Sequence, residues 1–170
     1  MEDSSLIEKA KRIVQTFSAH KKKICVAESC TGGLVASSIV SISGASAVFS
    51  GSAVCYCDDA KMKILSVEKE ILEKYYAESP QCAKEMARGA ISIFDADYAV
   101  ATTGFLDANV APKPDSLAGR VFVCLCKKDN FGKLTFDEDE LFLDTSCQRN
   151  ENRAKVVDVA LDMLLRQNLE

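Results

Sequence analysis

The chain has 170 residues, of which 48% are hydrophobic and 27% charged, and its formal net charge is −4. That length and apolar fraction suffice for one domain, spanning 1–170, with a core of its own, and they exclude global disorder; an acidic balance without a basic field excludes a nucleic-acid partner. No run approaches the roughly 18–20 uninterrupted apolar residues of a membrane span, and the N-terminus has no signal-peptide layout, so the eight cysteines are expected to be reduced thiols of a cytoplasmic protein.

The first predicted element covers residues 6–20, where Leu6, Ala10, Ile13, Val14 and Phe17 recur at helical spacing and Ser4 or Ser5 supplies an N-cap. It ends at Lys21-Lys22-Lys23, a solvated helix end, with His20 read as a surface residue. A buried strand follows at Ile24-Cys25-Val26, and the chain turns through Ala27-Glu28-Ser29-Cys30-Thr31-Gly32-Gly33 into a helix over 34–42. Small hydroxyl residues and glycines at a strand-to-helix turn are expected to leave backbone N–H groups unpaired, aimed where an anion or a carbonyl oxygen sits; the bland alternative is a simple helix cap.

A small-residue loop over 43–47 leads to a strand at 48–56 and two short helices at 58–65 and 67–76. Ser79-Pro80 reads as an N-cap and first helical residue of a helix running to about 94. The next strand, 97–102, ends at Thr103-Gly104, and 105–118, with Pro112 and Pro114, reads as a loop of active-site size. A buried strand at 121–127, a strand interrupted by acids into 134–136 and 140–143, and an amphipathic helix over 152–169 complete the chain. The pairs Cys55/Cys57 and Cys124/Cys126 are predicted each to share one strand face, and the lack of a C-x-x-C pair argues against zinc. Strands alternating with helices predict an α/β sandwich on a mixed or mostly parallel sheet, with ligands gathered outside the carboxyl ends of the strands. The turn at Ser29, Tyr56 and Thr103 are therefore candidates for one shared pocket.

One histidine leaves a Ser-His-Asp or Cys-His unit dependent on His20 alone, and gives a cysteine hydrolase at Cys30 no base. A serine can instead be activated by a lysine held as the amine. Ser46 before the second strand, Tyr56 at its end and Lys61 one turn into the next helix are the candidates. By spacing alone the bland reading is favoured: a loop serine, a strand-end aromatic and a solvated lysine.

Three motifs, Ala27-Glu28-Ser29-Cys30-Thr31-Gly32-Gly33, Gly44-Ala45-Ser46-Ala47-Val48-Phe49 and Val54-Cys55-Tyr56-Cys57-Asp58-Asp59-Ala60-Lys61, stand in an order and spacing that resemble the CinA C-terminal domain family. Similarity continues through 83–89, Asp97-Tyr98-Ala99-Val100, Thr103-Gly104 and 149–161. Characterised members of that family are nicotinamide-nucleotide amidases, which convert nicotinamide mononucleotide and water to nicotinate mononucleotide and ammonia. The resemblance implies a three-layer α/β/α sandwich, no metal, no cofactor, a small-molecule nucleotide substrate, a homo-oligomer, and the stand-alone form without an amino-terminal molybdopterin-binding-like domain. It implies a serine nucleophile assisted by tyrosine and lysine, carried onto Ser46, Tyr56 and Lys61. It also implies a pocket that uses Ser29, Thr31, Gly32, Gly33, Thr103 and Arg149, with Thr31, Gly32, Gly33 and Arg149 positioning phosphate and ribose.

Two departures stand out. The family continues from Thr103-Gly104 into a glycine-proline-glycine-glycine-rich loop, where this chain reads Phe105-Leu106-Asp107-Ala108-Asn109-Val110. The family's Tyr-Ser-Asn-Glu-Ala-Lys is here Tyr56-Cys57-Asp58-Asp59-Ala60-Lys61, with Asp58 left to cap the helix that bears Lys61. The rewritten loop motivates an alternative: a non-catalytic member that binds a nucleotide or serves in an assembly.

Overall fold

A computed structural model describes residues 4–110 and 113–169, so Pro112 lies outside the described residues. The chain runs through α1 (Ser4–Ala19), β1 (Ile24–Glu28), α2 (Leu34–Val40), β2 (Phe49–Val54), α3 (Asp58–Leu65), α4 (Lys69–Tyr75), α5 (Pro80–Phe94), β3 (Tyr98–Gly104), β4 (Arg120–Lys128), β5 (Leu134–Phe142) and α6 (Arg149–Leu165). The five strands form one sheet in the order β2-β1-β3-β4-β5. Helices α1, α2 and α6 cover one face and α5, with α3 and α4, the other, which is the expected three-layer sandwich. The sheet is mixed: β1 pairs parallel with β2 and β3, while β3–β4 and β4–β5 are antiparallel. Parallel pairing stops at β3 because β4 and β5 are reached by a loop and a hairpin rather than by helical crossovers.

Alternation along the strands divides the core into two unlike halves. Toward α1 and α6 point branched and bulky groups: Ile24 and Val26 of β1, Tyr98 and Val100 of β3, and Val121, Val123 and Leu125 of β4. Tyr98 also meets Phe17 edge-on at a centroid distance of 5.2 Å. Toward α5 the same strands present mostly small groups: Cys25, Ala27, Ala99, Ala101, Cys124 and Cys126. Helix α5 answers with Cys82, Ala83, Met86, Ala87 and Ala90. Most of the cysteines are therefore small core packing residues, all of them free thiols. The shared face expected of Cys124 and Cys126 is present, whereas Cys55 is buried and Cys57 exposed, because both lie beyond the end of β2.

Several boundaries follow from local chemistry. Ser79 accepts a hydrogen bond from the Cys82 N–H at 3.1 Å, and Pro80 occupies the first turn of α5, as the sequence predicts. Cys57 rather than Asp58 holds the N-cap position of α3, so Asp58 and Asp59 sit in its first turn and complement the helix dipole. The acids 137–140 do not break the last strand. They ride on a continuous edge strand, and Arg120 pairs with Glu140 there and Arg166 with Asp139, charges that blunt an otherwise open edge. Among the described residues no helix is long and apolar enough to cross a membrane.

Helices α3 and α5 meet at Gly89, where an added Cβ would lie 2.0 Å from the Leu65 carbonyl oxygen. Replacing Gly89 with alanine is expected to destabilise the fold by about 3 kcal/mol through overpacking against backbone that has no slack. Urea unfolding of the variant checks this; an unchanged midpoint would mean that α3 can move away from α5.

Candidate active site

Three parallel strands end at one level. Glu28 is the register partner of both Val54 and Thr102, and the residues just beyond are tied across: Ser29 N–H donates to the Thr102 carbonyl (2.9 Å) and Cys55 N–H to the Glu28 carbonyl (2.8 Å). Next to these ends opens a cavity of about 370 Å³, lined by Ser29, Cys30, Tyr56, Glu78, Arg149 and the start of the loop after β3, from Gly104 through Asp107 to Asn109. Its size suits a small-molecule ligand.

The turn between β1 and α2 is organised by Glu28, a side chain with 0% exposure. One carboxylate oxygen accepts from the N–H groups of Gly33 (2.9 Å) and Val35 (3.1 Å), the other from that of Ala36 (2.9 Å). For Gly33, Val35 and Ala36, the expectation that this turn leaves unpaired N–H groups for a ligand is thus corrected. The donors satisfy a carboxylate of the chain itself, which is how a charged group is accommodated in the core. Glycines 32 and 33 supply the positive φ values (59° and 94°) that bend the chain around it.

Ser29, the residue after that carboxylate, meets Lys61. The Lys61 Nζ donates to Ser29 Oγ at 3.1 Å and to the Cys55 carbonyl at 3.0 Å. Lys61 is 1% exposed, not the solvated helix face of the bland reading. Helix α3 places it there because its first turn starts just past the end of β2, and Lys61 N–H bonds back to the Cys57 carbonyl (3.1 Å).

Ser46 is elsewhere. It is exposed, in a short helical turn (Ala45–Ala47) before β2. Its neighbour Ala47 accepts from the Lys23 ammonium at the start of β1 (2.8 Å). Residues before β2 and those after it lie at opposite ends of that strand, about 20 Å apart for six residues. Within one chain, therefore, Ser46 is not brought together with Tyr56 and Lys61; the serine beside Lys61 is Ser29.

The remaining predicted positions divide between lining and scaffold. Tyr56 lines the cavity, the residue being 63% exposed, and its hydroxyl accepts from Arg149 (2.9 Å). Arg149, the first residue of α6, also donates to the Asp107 carboxylate (2.6 Å). Thr31 and Thr103 are fully buried: Thr31 shares a hydroxyl hydrogen bond with Thr102 (2.6 Å), and Thr103 donates to the Ala77 carbonyl (2.7 Å). Both face scaffold partners rather than the cavity. Gly32 adjoins Arg153, whose guanidinium donates to the Thr31 carbonyl (2.7 Å) and fastens the turn to α6.

Sequence reasoning missed Glu28, Glu78, Asp107 and Asn109. Glu28 did leave a signal, a lone carboxylate in an apolar strand directly before a glycine turn. The others come from loops whose spatial course no periodicity encodes. Cys30 lines the cavity too, but burial pushes its thiol up to about 12, which leaves little thiolate for attack. The Asn109 N–H, and Arg149 beside it, hold the Asp107 carboxyl below its ordinary range. Among the described residues no cluster of three or more metal-ligating side chains occurs.

A family model described as the CinA C-terminal domain matches residues 7–168. A CinA-like protein of Fervidobacterium nodosum is 36% identical over 143 residues, covering 84% of this chain and 33% of the relative. One from Pseudothermotoga lettingae is 35% identical over 154 residues, covering 91% of this chain and 36% of the relative. The chain thus spans about a third of the length of the curated relatives it matches. Among solved structures, the competence/damage inducible protein CihA from Agrobacterium tumefaciens superposes with a TM-score of 0.84 at 35% identity, over 97% of this chain and 96% of that one. A competence-damaged protein (CinA) superfamily protein from Escherichia coli gives 0.85 at 31% identity, over 97% and 92%.

Substituting Glu28 by glutamine keeps one acceptor oxygen and turns an NH₂ group toward backbone N–H donors. The variant is expected to lose about 2 kcal/mol of stability. Thermal and denaturant melts read the loss directly, and a wild-type melt would show that the charge is not what holds the turn.

Proposed function

This chain belongs to the CinA C-terminal domain family, and from that premise we propose that it is an amidase that hydrolyses the carboxamide of a pyridine nucleotide, nicotinamide mononucleotide being the substrate its resemblance implies. The observation that carries the reading is the contact between Lys61 Nζ and Ser29 Oγ at the cavity (3.1 Å). A serine and an amine at that distance, with the amine buried and the serine at a ligand-sized opening, are the two parts that a histidine-free acyl transfer requires. The nucleophile is accordingly Ser29, in place of Ser46.

The steps follow from the placement. Lys61, as the amine, takes the hydroxyl proton while Ser29 Oγ attacks the carboxamide carbon. The tetrahedral intermediate collapses as the proton passes to the departing nitrogen, and ammonia leaves an acyl ester on Ser29. A water molecule, deprotonated by the same amine, hydrolyses that ester to the carboxylate and restores the serine. The Cys55 carbonyl, which also accepts from Lys61, fixes the direction of the amine. Tyr56 and Arg149, joined to one another at the cavity wall, position the substrate outside the reacting atoms.

Ammonia release from nicotinamide mononucleotide by the purified protein tests the activity, with two single variants as the paired comparison. Ser29→Ala is expected to lower turnover by about a thousandfold or more while melting like the wild type. Ser46→Ala is expected to stay within about threefold of it. The reverse pattern would return the nucleophile to Ser46, and silence from the folded wild type would remove the amidase reading.

A further inference from the structure

The cavity that holds Ser29 is unusual in how its one lining cation is used. Arg149 is the only arginine or lysine among the described residues that line it, against the carboxylates of Glu78 and Asp107. Glu78 is paired with Lys113. One terminal nitrogen of Arg149 is committed to Asp107 (2.6 Å) and the other to the Tyr56 hydroxyl (2.9 Å). This is not scaffold bonding, since the two charged side chains remain 46% and 30% exposed. Asp107 is itself held in place: its second oxygen accepts from the Asn109 N–H at 3.0 Å, an Asx turn that presets the carboxylate toward the guanidinium.

A phosphate reaching for Arg149 meets that carboxylate. It must either displace Asp107 from its bonds or lie beside it as a like charge, which repels it. A pyridinium ring, being cationic, gains from the same carboxylate. Resting on the amidase reading above, we propose that Asp107 is a specificity-determining residue that withholds Arg149 from phosphate. The site consequently takes the phosphate-free pyridinium nucleoside about as well as the corresponding mononucleotide. Asp107 touches none of the reacting atoms; it acts on the anionic end of the ligand through Arg149.

The test is calorimetric binding of nicotinamide mononucleotide and of nicotinamide riboside to Ser29→Ala protein, with and without Asp107→Asn. Asparagine keeps the acceptor for the Asn109 N–H and removes the charge. Asp107→Ser, whose hydroxyl can serve the same turn, guards against a folding defect, and melts accompany all proteins. With Asp107 present, the two Kd values are expected to agree within about threefold; with Asn or Ser, the nucleotide should tighten by about tenfold and the nucleoside should not. A nucleotide that is already much the tighter ligand with Asp107 in place overturns the inference. So does an unchanged ratio in both variants, or binding of neither compound to any of the proteins. Ammonia release is measured separately on proteins with Ser29 intact. A shifted ratio without ammonia keeps the role of Asp107 and removes the amidase; ammonia with an unshifted ratio does the opposite.

Discussion

A carboxylate buried at the mouth of a helix sets the geometry on which the site depends. Glu28 ends β1, the middle of the three parallel strands, with both oxygens bonded to the amides of Gly33, Val35 and Ala36. A charge placed in the core is tolerable only when its hydrogen-bonding capacity is met, and here the first turn of α2 meets it. The turn therefore has little freedom to relax. The next residue, Ser29, inherits that rigidity, and its N–H is in turn tied to Thr102 on the neighbouring strand. Arg153 fastens the same turn from α6.

The two faces of the sheet divide the labour of stability. Branched and aromatic side chains fill the space beneath α1 and α6, where burial of large apolar area dominates. On the other face, alanine and cysteine bring α5 close to the strands, and Gly89 brings α3 close to α5. Gly89 meets Leu65, the last residue of α3, while the start of that helix sets Lys61 over the ends of β1 and β2 because it begins just past β2.

Charge at the cavity is local. Lys61 is directed inward by a hydroxyl and a carbonyl, while Arg149 is turned by Asp107 and Tyr56 at the wall. On the proposed reading, the buried amine serves the bond to be broken and the outer guanidinium faces whatever the substrate carries behind it. On the same reading, substrate choice can change through the 105–110 loop without disturbing Ser29 at the end of β1 or Lys61 on α3.

Much of this was legible in the residues. Helical spacing at Leu6, Ala10, Ile13, Val14 and Phe17, the Ser79-Pro80 cap, the alternation of strands with helices and the motif from Ala27 to Gly33 are local signals, and local signals carry element type, fold class and family. Tyr56 and Lys61 were singled out through the resemblance, and the structure sets Tyr56 at the cavity wall and Lys61 beside Ser29. Ser46 does not join them, for a reason that distance along the chain cannot reveal: a residue before a strand and one after it stand at opposite ends of that strand, although only ten positions separate Ser46 from Tyr56. Ser29, thirty-two positions before Lys61, became its neighbour only when β1 and β2 paired in parallel with their ends level. The bond of Asp107 to Arg149 likewise joins residues 42 apart. Sequence determined which elements form and which chemistry they carry, since propensity and pattern act over a few residues; tertiary structure alone decided which serine meets the lysine and which carboxylate meets the arginine, since strand pairing sets those distances.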